Sequence, residues 1–241
     1  MKWITITLSL LAALTATQGA AQAPTRYELD VKDFSELKVT DGINVDYVCN
    51  PDSAGKAVFF ATPDIASQIL FVPNKQKLEI QLSDDEKTTR ANLPRVRVYS
   101  NILTFVENSG DSMLRVLNVN PCPKFRARVI GNGRIVVRDI KATQVDASLD
   151  TGKGSLVIRG TAETANLSCT GTGSITADDL VAETVKCKSF GTGTIGCAPT
   201  KNLSVMGMSG TIYYRGEPAI KNRSLGVKVL PLDAAQPEDK K

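Results

Sequence analysis

Glycine recurs between Gly131 and Ile212 with a rhythm that few folds accommodate. The copies are Gly131-Asn-Gly133-Arg-Ile135, Gly152-Lys-Gly154-Ser-Leu156, Gly171-Thr-Gly173-Ser-Ile175 and Gly191-Thr-Gly193-Thr-Ile195. A looser fifth copy runs Gly207-Met-Ser-Gly210-Thr-Ile212. By subtraction, the second glycines stand 21, 19, 20 and 17 residues apart. A period near 20 marks a repeat architecture. Glycine at this density would cost a helix roughly 1 kcal/mol per site relative to alanine. It suits a chain that must turn sharply once per coil, because glycine reaches φ > 0 without a Cβ penalty.

Aligning the copies produces columns. Two residues after the second glycine stand Ile135, Leu156, Ile175, Ile195 and Ile212; two further on stand Val137, Ile158, Ala177, Cys197 and Tyr214. Before the glycines run the columns Ala127, Ala147, Leu167, Cys187 and Leu203, and Phe125, Val145, Ala165 and Val185. Residues two apart on a strand share a face. Each copy is therefore a strand ending at Gly-x-Gly and a second strand leaving it, with alternate side chains stacked inside. The fold class is all-β: a parallel β-helix, or β-solenoid, of about 20-residue coils stacked at about 4.8 Å.

Residues 1–23 are expected to be a signal peptide. Lys2 gives the basic start, Ile4 to Leu14 an apolar stretch too short to span a bilayer, and Ala21-Gln22-Ala23 the cleavage site. No Cys stands at that point, so no lipid anchor is expected there. No later run is apolar enough to cross a membrane. The remaining 241 − 23 = 218 residues carry 28 basic and 25 acidic groups, a net charge of +3 without any basic run. That argues against nucleic acid.

Residues 24–101 read as a more irregular β region. Strands are expected at Arg26 to Val31, Phe34 to Val39, Ile43 to Val48 and Ala57 to Ala61. Asp64 to Ile69 is expected to form a helical turn. Ile69 to Val72 and Leu78 to Leu82 are expected to flank a Pro73-Asn74 turn, followed by a charged loop from Ser83 to Asn92 and a strand at Arg95 to Tyr99. Coils then occupy residues 102–232, ending in one closing strand from Ser224 to Leu232. Residues 233–241, charged and holding Pro237, are expected to be a disordered tail.

The motif Asp41-Gly42-Ile43-Asn44-Val45 resembles a bacterial family, the auto-transporter adhesin head GIN domain, named for its Gly-Ile-Asn. The likeness runs from about Phe34 to Gly226. It includes Phe34-x-x-Leu37, Lys77-Leu78-Glu-Ile80, Val106-Glu-Asn-Ser-Gly110, the Gly-x-Gly coils and Tyr214-Arg-Gly-x-Pro218. The resemblance implies a right-handed single-stranded β-helix in secreted or envelope proteins of Bacteroidetes-like bacteria, with an adhesin-like role.

Chemistry-bearing motifs are sparse. The chain has no His, which excludes Ser-His-Asp and Cys-His arrangements. Gly191-Thr-Gly193-Thr-Ile-Gly196 matches a dinucleotide pattern, but Cys197-Ala-Pro199 follows where a helix is required. The corners lack the Asp of calcium-binding β-rolls. Five cysteines, Cys49, Cys122, Cys169, Cys187 and Cys197, have no close ligand spacing, so no metal or cofactor is expected. Cys169, Cys187 and Cys197 fall on interior columns as buried thiols; a Cys49–Cys122 bridge is left open.

Asp139 and Asp179 each follow a second glycine by six residues. Two coils apart, they would stand about 9–10 Å from one another, near the spacing of an inverting glycosidase pair. Corner residues explain them better, because the same column elsewhere holds Gly160, Pro199 and Gly216, which is turn chemistry. Arg138, Arg159, Asp178, Ala198 and Arg215 form the neighbouring outward column, with an Arg159–Asp178 ion pair expected. Tyr213 and Tyr214 beside Val136 and Val157 would give an exposed apolar strip. Arg138, Arg159, Asp178, Arg215, Tyr213 and Tyr214 are thus the candidate surface contacts, for a cell-surface glycan or protein. The function expected is non-catalytic interaction at the envelope; a glycan-active β-helix enzyme or an assembly protein are the alternatives.

Overall fold

The computed structural model describes residues 23–83 and 92–232. The expected signal peptide, most of the charged loop and the expected tail at 233–241 lie outside the described residues. The chain forms a β-solenoid of about six turns with nearly no helix.

The glycine-marked coils follow the columns read from sequence. Strands β10 (Cys122–Ile130), β11 (Arg134–Asp150), β12 (Ser155–Thr170) and β13 (Ser174–Tyr214) stack in parallel. Phe125 lies opposite Val145, which lies opposite Ala165, which lies opposite Val185. Ile135, Leu156 and Ile175 line up likewise, and all of these are buried. Within β13 the inward residues run Ile175 and Ala177, then Leu180 and Ala182, then Val185, Cys187 and Ser189. Each step of three resets the alternation and marks a bend, so one coil has three faces.

The glycines serve two purposes. Gly131 and Gly152 have φ of 88° and 70°, the left-handed geometry expected of a corner. The second glycines Gly133, Gly154, Gly173 and Gly193 do not, whereas Gly210 of the looser copy does, at 104°. A Cβ on Gly173 would run into the carbonyl of Gly154 and lie 2.8 Å from Leu149 Cδ1. There glycine is required by the close approach of successive coils.

The earlier turns stack out of sequence order. β2 (Glu36–Val39) lies parallel between β6 (Lys77–Leu82) and β8 (Phe105–Asn108). β3 (Val45–Cys49) lies parallel between β7 (Val96–Ser100) and β9 (Met113–Asn118). β8 and β9 then pair with β10 and β11, so the ladder is continuous into the glycine coils. The Gly-Ile-Asn segment between β2 and β3 is a corner. Asp41 takes φ 61° and its Oδ2 accepts from the Leu82 N–H. Ile43 is fully buried. Asn44 Oδ1 accepts from Met113 N–H and its carbonyl from Val96 N–H, tying the coils on both sides.

Antiparallel strands close the N-terminal end. β4 (Lys56–Ala61) covers β7, β1 (Thr25–Asp30) covers β4, and β5 (Ile69–Asn74) covers β6. Paired edges are protected from outside strands. The helical turn is α1 (Pro63–Ala66). The β5–β6 turn falls at Lys75 and Gln76 rather than Pro73-Asn74, because Pro73 and Asn74 still oppose Leu78 and Lys77. At the other end β14 (Ala219–Asn222) and β15 (Lys228–Pro231) pair with β13. The single closing strand expected from Ser224 is thus confined to Lys228–Pro231, with β14 preceding it.

Candidate recognition face

Three of the outward residues singled out from sequence, Arg159, Asp178 and Arg215, are held in ion pairs. Arg159 pairs with Asp179, Nε to Oδ2 at 3.2 Å, rather than with Asp178. Arg215 reaches Asp178 at 3.5 Å and Asp179 at 3.8 Å. The difference comes from bulges between Val137 and Ile140 and between Val157 and Arg159, which shift the register after each second strand. Asp139 sits within the first bulge at φ 53°, and the ladder puts Arg159 opposite Asp179. A guanidinium therefore occupies the site facing Asp179 that an inverting pair would leave for substrate and water. Arg138 is exposed, whereas Ala198, expected to face outward, is buried. Val136, Val157 and Tyr213 are half-buried, and Tyr214 packs against the end of the core. Exposed pairs of this kind are worth about 0–1 kcal/mol.

All five cysteines are free, so the Cys49–Cys122 bridge is not formed. Cys49 Sγ donates to the Asn101 carbonyl at 3.1 Å. Cys169, Cys187 and Cys197 are buried on the interior columns, and contact with the Cys197 thiol together with burial pushes the Cys187 thiol well up.

A groove of about 520 Å³ lies on the outer face of the strands that precede the glycine corners. Its floor is a lattice of outward residues. One column runs Arg126, Asp146, Asn166, Lys186; the next runs Arg128, Ser148, Ser168, Lys188. Phe105 closes one end, and Arg126 stacks over its ring at 4.7 Å while reaching Glu36 at 3.3 Å. Arg128 is held by Asp150 at 2.7 Å and Glu107 at 3.4 Å. Asp146 accepts from Asn166 and Gln144, each at 2.7 Å, and from Lys124 at 2.8 Å. Burial works against its charge, but these donors outweigh it and hold the carboxyl below its ordinary range. Rows of amide, hydroxyl and charged groups at strand spacing can hydrogen-bond a ligand rich in hydroxyls or carboxylates across several coils. In the sequence these residues are only the polar half of the alternation Lys124-x-Arg126-x-Arg128 and its sister strands, with no repeated residue to mark them.

A second charged cluster is structural. Asp46 is fully buried on β3, bound by Arg115 at 2.6 and 2.7 Å and by Arg95 at 3.0 Å. Burial raises its carboxyl, but the two guanidinium groups prevail and its pKa is lowered.

Residues 33–218 match the family described as "Putative auto-transporter adhesin, head GIN domain". No curated protein matches the chain. Among solved structures, a "putative adhesin" from Bacteroides fragilis superposes with a TM-score of 0.79 at 20% identity, covering 87% of this chain and 98% of that one. A "putative adhesin" from Parabacteroides merdae gives 0.72 at 20% identity over 89% and 98%. A "putative lipid binding protein" from Parabacteroides distasonis gives 0.70 at 18% identity over 87% and 97%. At these identities the likeness is one of fold.

Proposed function

Because the chain belongs to the auto-transporter adhesin head GIN domain family, we propose that it is a non-catalytic recognition solenoid of the secreted or cell-surface compartment. It holds an envelope glycan or a surface protein along the outer face of β10–β13. The groove over Arg126, Asp146, Asn166 and Lys188 is the observation that carries the reading. It spans four coils and offers donors and acceptors already fixed by their neighbours, which lowers the ordering cost of binding an extended ligand. Asp139 and Asp179, the carboxylates suited to hydrolysis by number, lie away from it, and Asp179 is occupied by arginines.

Titration of the chain from residue 24 onward against neutral and acidic polysaccharides, with reducing-end release followed in parallel, tests this. Saturable binding without product is expected. Arg126→Ala and Asn166→Ala each weaken it about tenfold, the effect of about 1.4 kcal/mol. Turnover of any polysaccharide, or binding indifferent to both substitutions, overturns the proposal.

A further inference from the structure

Past Lys188 the same face changes character. Its outward positions continue over three neighbouring rungs: Lys186, Lys188 and Phe190; Ser204, Met206 and Met208; Lys221, Arg223 and Leu225. The register is fixed by backbone contacts. Gly207 sits directly against the Ser189 carbonyl, Ser204 opposes Lys221, Arg223 N–H donates to the Val205 carbonyl, and Leu225 N–H donates to that of Gly207. Only Ser204 among these positions is neither cationic nor large and apolar.

The apolar members are open to solvent: Phe190 is 44% exposed, Met206 48%, Met208 64% and Leu225 89%. On a folded chain such a contiguous set marks a contact surface. The cations are equally distinctive. Arg126 and Arg128, earlier on the same two columns, are paired with Glu36, Glu107 and Asp150. Among the described residues, none of Lys186, Lys188, Lys221 and Arg223 makes an ion pair, and no acidic side chain shares these rungs.

We infer that this end of the face docks onto a bilayer surface carrying anionic headgroups. Three rungs about 4.8 Å apart, each with outward side chains about 7 Å apart, make a patch on a sheet that can meet a plane broadside. Lysine and arginine lay their aliphatic stems on the apolar surface and lift their charges to headgroup phosphates. Phe190, Met208 and Leu225 then enter the boundary between headgroups and acyl chains, as the apolar side of an interfacial helix does. A protein partner fits less well, since lysine is depleted in protein interfaces and supplies three of the four cations here.

The test is co-sedimentation of the chain from residue 24 with vesicles of pure phosphatidylcholine or of phosphatidylcholine with one third phosphatidylglycerol. Binding to the anionic vesicles at least about tenfold stronger than to the neutral ones is expected, falling as salt screens the charges. Lys186→Glu with Lys188→Glu, and separately Met208→Ser with Leu225→Ser, each reduce it about tenfold or more, with unchanged circular dichroism and melting. Leu225→Trp reports insertion by a blue-shifted emission, since Trp3, the sole tryptophan, precedes this chain. Asn166→Ala leaves vesicle binding unchanged, which separates this surface from the groove. Equal binding to both vesicles, loss of binding in salt alone with the apolar pair irrelevant, or self-association through Met208 and Leu225 that blocks vesicles, overturns the inference.

Discussion

The turns up to Ser112 bury Asp46, Ser100, Glu107, Asn108 and Ser112, whereas the coils from Cys122 to Tyr214 bury one polar or charged residue among those described, Ser189. The two regions share one ladder and one core but are specified differently. In the early turns particular polar atoms find particular partners. Tyr47 Oη meets Ser100 Oγ at 2.9 Å, and Asn108 Nδ2 donates to the Ser112 carbonyl at 2.8 Å. In the later coils like stacks on like, and the backbone ladder satisfies itself. Repetition does there what individual hydrogen bonds do earlier.

The comparison breaks most readily at the glycines. Gly173→Val should destabilise by more than about 3 kcal/mol, because its side chain meets the Gly154 backbone, which cannot swing aside. Lys153→Val, at an exposed position of a corner, should change stability by under about 0.5 kcal/mol. Paired urea melts decide it; equal midpoints would remove close approach as the reason for glycine.

Next comes the stacked interior. Ile175→Ala opens a gap beside Leu156 and should cost about 3 kcal/mol, against under about 0.5 for Thr194→Ala on the outward side. Equal losses would mean that stacking does not carry these coils.

In the early turns the corresponding lever is Asp46. Asp46→Asn should cost about 2 kcal/mol, since it weakens charged hydrogen bonds to arginines that still reach water. Its carboxyl titrates lower in the folded chain than in the unfolded one. The stabilisation is thus complete above the unfolded value, about 3.8, and drains as pH falls through the lower folded value. Acid melts of wild type and Asp46→Asn should converge below that range; a constant gap would assign the loss to packing instead.

The smallest effect has the opposite sign. Among the described residues, Ser189 Oγ is buried without a hydrogen-bond partner, as Ser112 Oγ is in the early turns. Ser189→Ala should leave the melting midpoint level or raise it by up to about 1 kcal/mol of stability. A clear loss would show that the later coils also depend on a specific polar contact.

The same contrast explains what could be read in advance. Ile135, Leu156 and Ile175 were legible because each inward residue must rest on its counterpart one coil away, so counting from a glycine finds it. Outward residues obey no such rule. A bulge that gives β13 one extra residue opposite Val157 to Arg159 moves them by one without disturbing the core, which is why Arg159 met Asp179 and not Asp178. The groove was hidden for a related reason: its polar residues differ from coil to coil and carry no repeat. Pairing of β2 with both β6 and β8 was equally invisible, since no period links Glu36 to Lys77 and Phe105.

That inserted turn has a consequence for how the molecule comes into being. Each later coil needs only a neighbour about 20 residues away, so the array can grow by accretion onto a short nucleus, with little loop entropy spent per step. Leu37 must instead wait for Leu78 and Val106, and Val45 for Val96 and Leu114. A chain emerging from its N-terminus therefore presents its most partner-dependent segment first, and β2 has no parallel partner until some 40 further residues have followed it and only one until some 70 have. Non-local closure of that kind is slow. The family's signature corner at Gly42-Ile43-Asn44 is where the wait ends: through Asn44 it fastens the segments on both sides in one step.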